Sequence, residues 1–332
     1  MALGAGILAL AGLTLTPAEQ AMAANCVAGD NNNLGGATNG TSNGNPAGSI
    51  VCYDNNTSGA ANANNLAGNG AGTTAGFANI QFNTIVNNSS GALLLNGTAN
   101  QGSGSATILD NYVSGSGSGS VNGGISHSTS TSNAASATLI GNQIFGANSG
   151  SSNGLTTRGT TSSILIDNLI SGDNAGSSNG QTGQVGWFGV VGGNTTVVMT
   201  DNIISGAGAG SGNGLATGGN TAVLMTNNGL YGVGTGADNG RVNDGTNASL
   251  ATSVIMDNNN VNGDGSLANN GRILIGNGNS IVNLSNNQIN GANSGSQNGY
   301  IAAGGGLLNG PKTANVTMLD NTIVGDNNLA RN

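Results

Sequence analysis

Ile166-Asp167-Asn168-Leu169-Ile170-Ser171-Gly172 and, earlier in the chain, Leu109-Asp110-Asn111-Tyr112-Val113-Ser114-Gly115 are two copies of one pattern, and its spacing decides the fold. The central Asn recurs as Asn83, Asn111, Asn142, Asn168, Asn202, Asn228, Asn259, Asn287 and Asn321, at intervals of 28, 31, 26, 34, 26, 31, 28 and 34 residues. Two residues after it an aliphatic stands every time, from Ile85 to Ile323. Four after it Gly stands in eight of nine repeats, from Gly115 to Gly325, with Asn87 the exception. Three before it come Ile80, Ile108, Leu139, Leu165, Met199, Met225, Met256, Leu284 and Met318, and five before it small or branched residues from Ala78 to Val316. Positions −5 and −3 are alternate residues, so they share one face of a strand.

A second landmark lies eleven residues after the anchor in seven consecutive repeats: Asn122, Asn153, Asn179, Asn213, Asn239, Asn270 and Asn298, each followed by Gly. One arc of the repeat therefore has fixed length, whereas the other, from this Asn-Gly to the next anchor, varies between 15 and 23 residues. Insertions confined to one arc are what a stacked solenoid permits, because that side can bulge while the rest keeps register. The pattern predicts an all-β parallel β-helix. Each coil has a strand ending at −3, a bend at the anchor Asn, a second strand starting at +2 and a turn near the Asn-Gly. Asn suits the bend because it tolerates left-handed backbone angles, and equivalent amides stacked coil upon coil can form a hydrogen-bonded ladder.

Composition agrees with repetition rather than with a conventional enzyme domain. In 332 residues there are 62 Gly and 57 Asn, while charged residues make up 5% against about a quarter in ordinary globular proteins. Gly, Asn, Ser and Thr disfavour helix interiors. The net charge of −8 sets thirteen acids against Arg158, Arg241, Arg272, Arg331 and Lys312. No basic patch exists to displace phosphate counterions, so nucleic acid is not an expected partner.

The two ends add detail. Residues 1–23 read as a secretory signal, with an apolar run from Ala2 to Leu15 and an A-x-A site at Ala21-Met22-Ala23, too short to span a bilayer. Residues 24–76 read as an N-terminal cap with a degenerate first coil anchored at Asn55, and 77–332 as the repeats, about ten coils in all. Cys26 and Cys52, the only cysteines, lie just past the cleavage site and one short coil apart. In an exported chain such a pair is expected to form a disulfide, here locking the cap, because neighbouring coils lie about 4.8 Å apart. At the other end Asn332 stands where an Asn-Gly is due and no polar cap follows, so further coils are expected downstream.

The two quoted segments resemble the right-handed parallel β-helix repeat of pectate-lyase-like proteins and bacterial surface proteins, a likeness covering roughly residues 77–332. Low charge, Gly/Asn/Ser/Thr enrichment and an exported start resemble the passenger regions of Gram-negative autotransporters and adhesins. That resemblance implies secretion or display at the outer membrane, with contact to the membrane only through a C-terminal translocator that this sequence does not contain. The fold alone hosts lyases, hydrolases, adhesins and stalks, so it does not choose among them.

Candidate chemistry is sparse. Asp110, Asp167, Asp201 and Asp320 stand just before their anchors, where other repeats carry Asn, Gly or Phe82. Such a column could bind Ca²⁺ or supply a glycosidase acid pair, but Asp and Asn are also the residues a strand bend prefers. Asp173, Asp264 and Asp326, five after their anchors, read as turn residues, His127 as a strand residue facing solvent, and Arg241 and Arg272, both at +13, as surface charges. Trp187 and Phe188 lie in a long variable arc, Gln181 to Thr196, where they either stack on sugar rings as candidate glycan contacts or fold back to cover the solenoid wall, whereas Tyr112, Tyr231 and Tyr300 read as too scattered for a stripe. No catalytic, metal or cofactor residue is assigned. The expected role is an exported structural and adhesive module whose arcs contact glycans or a host or neighbouring cell surface. The alternative is a carbohydrate-active β-helix enzyme, a polysaccharide lyase or glycoside hydrolase.

Overall fold

Alternation of buried and outward residues builds the first strand of each coil: in Thr160–Ile166 the side chains of Thr161, Ser163 and Leu165 point inward and those between them outward. The computed structural model describes residues 24–25, 48–53, 56–59, 76–81, 84–87, 95–96 and 102–326, the last span without 116–120, 126–132, 149, 157–158, 183–192, 209, 217–218, 237, 243–250, 266–268, 272–278, 295–296 and 299–312. Each complete coil contributes three strands, for example Thr160–Ile166, Leu169–Ser171 and Ser178–Thr182. Each strand pairs in parallel with its equivalent in the coils before and after. The result is three sheets of eleven, ten and eight strands, a parallel β-helix whose strand count differs from sheet to sheet. No helix occurs among the described residues, so none there is long and apolar enough to cross a membrane.

Register follows the sequence columns. Leu165 lies opposite Met199 in the first sheet, Ile170 opposite Ile204 in the second and Asn179 opposite Asn213 in the third. The aliphatic columns at −5, −3 and +2 thereby become continuous files inside the coil, Ile108, Leu139, Leu165, Met199, Met225, Met256 and Leu284 forming one of them, all essentially without solvent contact. Burying each such side chain is worth about 1.5–3 kcal/mol. A single coil has no second layer to bury them against, so the stack is the folding unit.

The anchor asparagines form one unbroken ladder. From Asn111 to Asn321, each Nδ2 donates to the Oδ1 of the next coil's anchor at 2.9–3.0 Å. That Oδ1 also accepts from the backbone N–H of the same donor residue. The remaining amide proton goes to the carbonyl at −3 of the preceding coil, as from Asn202 to Leu165 at 2.7 Å. Asn83 and Asn55 lie outside the described residues.

Two details of the expected coil are corrected. The bend falls one residue before the anchor: Asp110, Asp167, Asp201, Asn227, Asn258, Asn286 and Asp320 have φ between +49° and +56°, and Gly141 has +65°. The anchor cannot turn the chain because its side chain is committed inward, so the left-handed residue precedes it. The Asn-Gly pair is not a turn but part of the third strand, as in Ser178–Thr182. Its Asn points inward and builds a second ladder, Asn122 to Asn153, Asn179, Asn213, Asn239 and Asn270, at 2.7–2.9 Å. Its Gly adopts positive φ where a side chain would strike the first strand: a Cβ at Gly214 would lie 2.3 Å from Val223 Cγ2.

Two predictions follow the geometry. Asn202→Ala removes an acceptor from Asn168 and a donor from Asn228 and Leu165, and should lower unfolding free energy by about 1–3 kcal/mol, read from the denaturant midpoint; no measurable change would mean the ladder carries no load. At +4, Gly206 has φ +128° and a Cβ there would sit 2.0 Å from the carbonyl oxygen of Gly172, whereas Gly265 has φ +71° with nothing within 4 Å. Gly265→Ala should therefore cost only the left-handed penalty, about 1–2 kcal/mol, and Gly206→Ala distinctly more in the same melt.

Candidate functional site

The connections between strands locate variation in space. First and second strands are joined by two residues, such as 167–168, and second and third strands by six, such as 172–177. Third and first strands are joined by segments as different as 157–159, 183–194, 217–220 and 299–312. From the Asn111 coil onward length variation falls on one seam, between the third and first sheets; in the coil before, the second connection is longer, because Asn96, thirteen residues after Asn83, is the partner of Asn122. The sheets on either side of the 183–194 insertion keep unbroken pairing, Ser178 to Ser152 and Thr161 to Thr195. A polar contact closes the corner beneath it, with Thr182 Oγ1 at 3.1 Å from Thr161 Oγ1 and 2.8 Å from Thr195 Oγ1. Trp187 and Phe188 belong to this insertion by sequence position and lie outside the described residues.

The acidic columns sit at the two edges of the second sheet. Asp110, Asp167, Asp201 and Asp320 are exposed on the left-handed bend that enters it. Asp167 and Asp201 are on consecutive coils. Gly141 separates Asp110 from Asp167, and Asn227, Asn258 and Asn286 separate Asp201 from Asp320, so the column never gathers more than two carboxylates in a row. On the opposite edge Asp173 Oδ1 accepts from the backbone N–H of Ala207 at 3.3 Å, and Asp264 Oδ1 from that of Ala292 at 2.9 Å. These two acids stitch the six-residue connections of adjacent coils together. Among the described residues no group of three or more His, Cys, Asp or Glu is placed to hold a metal ion.

Other sequence candidates fall apart in space or outside the described residues. Arg241 belongs to the third-sheet strand Asp238–Val242, opposite Leu215, while Arg272, His127 and Tyr300 lie outside. Cys52 is in the strand Gly48–Tyr53, whose neighbour Ala24–Asn25 ends with Asn25 opposite Val51. Cys26 itself lies outside the described residues, and with it the expected bond to Cys52.

One surface was missed in the sequence. Tyr112 and Tyr231, expected to be scattered, point outward from the same second sheet, and Phe145 joins them: its ring centroid is 5.7 Å from that of Tyr112, with the planes inclined at 53°. Tyr112 stands at +1 of its coil and Phe145 and Tyr231 at +3 of theirs, both outward columns, so the three share one face, with Tyr231 four coils along from Tyr112. Sorting every aromatic by its offset from the anchor, rather than by sequence distance, would have found the patch.

The bend reading of the acidic column is testable. Asp167→Gly should change stability by less than about 1 kcal/mol, because Gly adopts positive φ freely. Asp167→Val should cost about 1–2 kcal/mol or more, since a branched residue pays the left-handed penalty in full. Equal effects of the two in thermal melts would contradict the bend reading. No protein family, curated protein or solved structure matches this chain.

Proposed function

We propose that the protein is an exported, non-catalytic structural and adhesive β-helix, similar in role to autotransporter passenger regions, that holds its variable arcs out at the surface of a Gram-negative cell. The observation that carries this reading is the confinement of insertions to one seam from the Asn111 coil onward. A rigid rod with a line of replaceable loops suits presentation, because loop length costs little in stability: each doubling adds only about 0.6 kcal/mol of closure entropy. The low charge and the leader-like residues 1–23 support export, and an oxidising compartment would favour a Cys26–Cys52 bond at the N-terminal end of the stack. Glycans or a host or neighbouring cell surface are the partners in this reading, with Trp187 and Phe188 as aromatic contacts on the 183–194 arc.

A second reading, a carbohydrate-active enzyme, draws on Asp167 and Asp201 standing on consecutive coils, since paired carboxyl groups about 5 Å apart serve retaining glycosidases. Both acids are exposed on the rim rather than enclosed in a cleft.

The arcs can be tested by surgery that the coil tolerates. Replacing residues 183–194 by the shorter connection 157–159 of the preceding coil should leave the melting temperature within a few degrees and abolish binding to cells or glycan arrays. Full binding by the grafted protein would show that this arc is not a contact surface.

A further inference from the structure

The aromatic patch on the second sheet has features of a ligand platform, and we propose that it binds a neutral, linear polysaccharide lying along the stacking axis; this rests on the adhesive reading above and moves its contact surface from the arcs to a sheet face. Two outward columns make the face, at +1 and +3 of each coil. Tyr112, Phe145, Leu169, Ile203 and Tyr231 run across five consecutive coils, with Ile203 49% exposed and Tyr112 and Tyr231 close to 40%.

Tyr231 is the most informative member. The coil that carries it has Gly229 at +1, where other coils carry a side chain, and the Tyr231 ring is laid over that glycine: a Cβ built there would be 2.8 Å from ring atom Cε2 and 2.9 Å from the hydroxyl oxygen. Gly229 is buried beneath the ring. The next coil's Asn260 reaches the hydroxyl, Nδ2 to Oη 3.5 Å. One ring face thus lies against the backbone and the other looks outward. An outward-facing aromatic surface is the partner that the C–H face of a pyranose takes, and exposed amides of Gln143, Asn260 and Gln288 in the same +1 column can meet its hydroxyl groups.

Size and charge select the ligand. From Tyr112 to Tyr231 the strip spans four coil spacings, about 19 Å, and two columns on alternate residues make it about 7 Å wide. That is far short of the roughly 800 Å² per partner that a stable protein interface buries, but it suits a thin chain of sugars. Both edges carry exposed carboxylates, Asp110, Asp167 and Asp201 on one side and Asp173 and Asp264 on the other, and no Lys or Arg side chain is placed on the face among the described residues. A polyanionic glycan would be repelled along its whole length. A neutral one meets acceptors for its hydroxyl groups.

The test is native affinity electrophoresis of the full chain in gels holding hydroxyethylcellulose, galactomannan or dextran, with polygalacturonate as the anionic control. At least one neutral polymer should retard the protein and polygalacturonate should not, even at low salt. Tyr231→Ser and the double variant Tyr112→Ser/Phe145→Ser should each weaken retardation about tenfold while melting like the parent. Gly229→Ala, which keeps every aromatic but lifts the ring, should weaken it as well. The inference is overturned if no neutral polymer retards the protein, if polygalacturonate binds better, or if the face variants bind normally. It is also overturned if sedimentation shows a dimer that Tyr231→Ser dissolves, since a second copy would then occupy the face. Loss of binding in the 183–194 graft with normal binding in the face variants would sink this inference and leave the adhesive reading standing; the reverse result would retain the sheet face and remove the arc as the contact surface.

Discussion

A buried carboxamide that only its own counterpart one coil away can satisfy is the constraint on which this architecture rests. In the anchor ladder every internal Asn gives both amide protons and receives two hydrogen bonds at Oδ1, so no coil can shift without orphaning polar groups in its neighbours. Buried polar networks that are completely satisfied specify one arrangement, and partly satisfied ones are costly. The aliphatic files could slide past one another at small cost, since Ile, Leu, Met and Val are near-interchangeable fillers. The amides cannot.

The placement of the two ladders explains where the coil is allowed to vary. One ladder pins the corner between the first and second sheets, the other the corner between the second and third. From the Asn111 coil onward both connections there are constant in length. At the remaining corner the amides stack only in part and at the exposed surface, Asn220 Nδ2 donating to Asn194 Oδ1 at 3.2 Å beside contacts such as Thr161 with Thr182, and from the Asn111 coil onward the insertions fall on it. Length thus varies most where no continuous file of buried amides runs among the described residues. The composition has the same origin: Asn for the ladders, Gly where stacked backbones approach within about a side chain's width, and almost no charge because so little of the coil is both outward and unconstrained.

Much of this was legible in the sequence, because stacking turns periodicity into contact. Columns at −5, −3, +2 and +4 could be read without coordinates, and they are the files of the structure. The inward turn of the second Asn was not legible, since Asn-Gly is also the signature of a tight turn and sequence alone cannot say which way its side chain points. The position of the bend was missed for a related reason: Asp110 or Asp167 and the Asn after it are equally good residues for left-handed backbone, and only burial separates them. The aromatic patch escaped notice because Tyr112, Phe145 and Tyr231 are distant along the chain and stand at two different offsets, +1 and +3, that only the pleat puts on one face.

The second ladder has a chemical side that its geometry controls. Asn followed by Gly is the dipeptide most prone to lose ammonia, because an unhindered glycyl nitrogen can attack the side-chain carbonyl carbon and close a succinimide ring. Here that pair is repeated in coil after coil, yet each carboxamide is clamped between its neighbours and held out of solvent. Ring closure needs the side chain to swing back over its own backbone, which the stack forbids. Hydrolysis of the ring would leave a carboxylate with no proton to donate, facing an oxygen in the next coil. The folded rod therefore shields the bonds whose decay would unstitch it, and leaves age-related damage to outward pairs such as Asn262-Gly263.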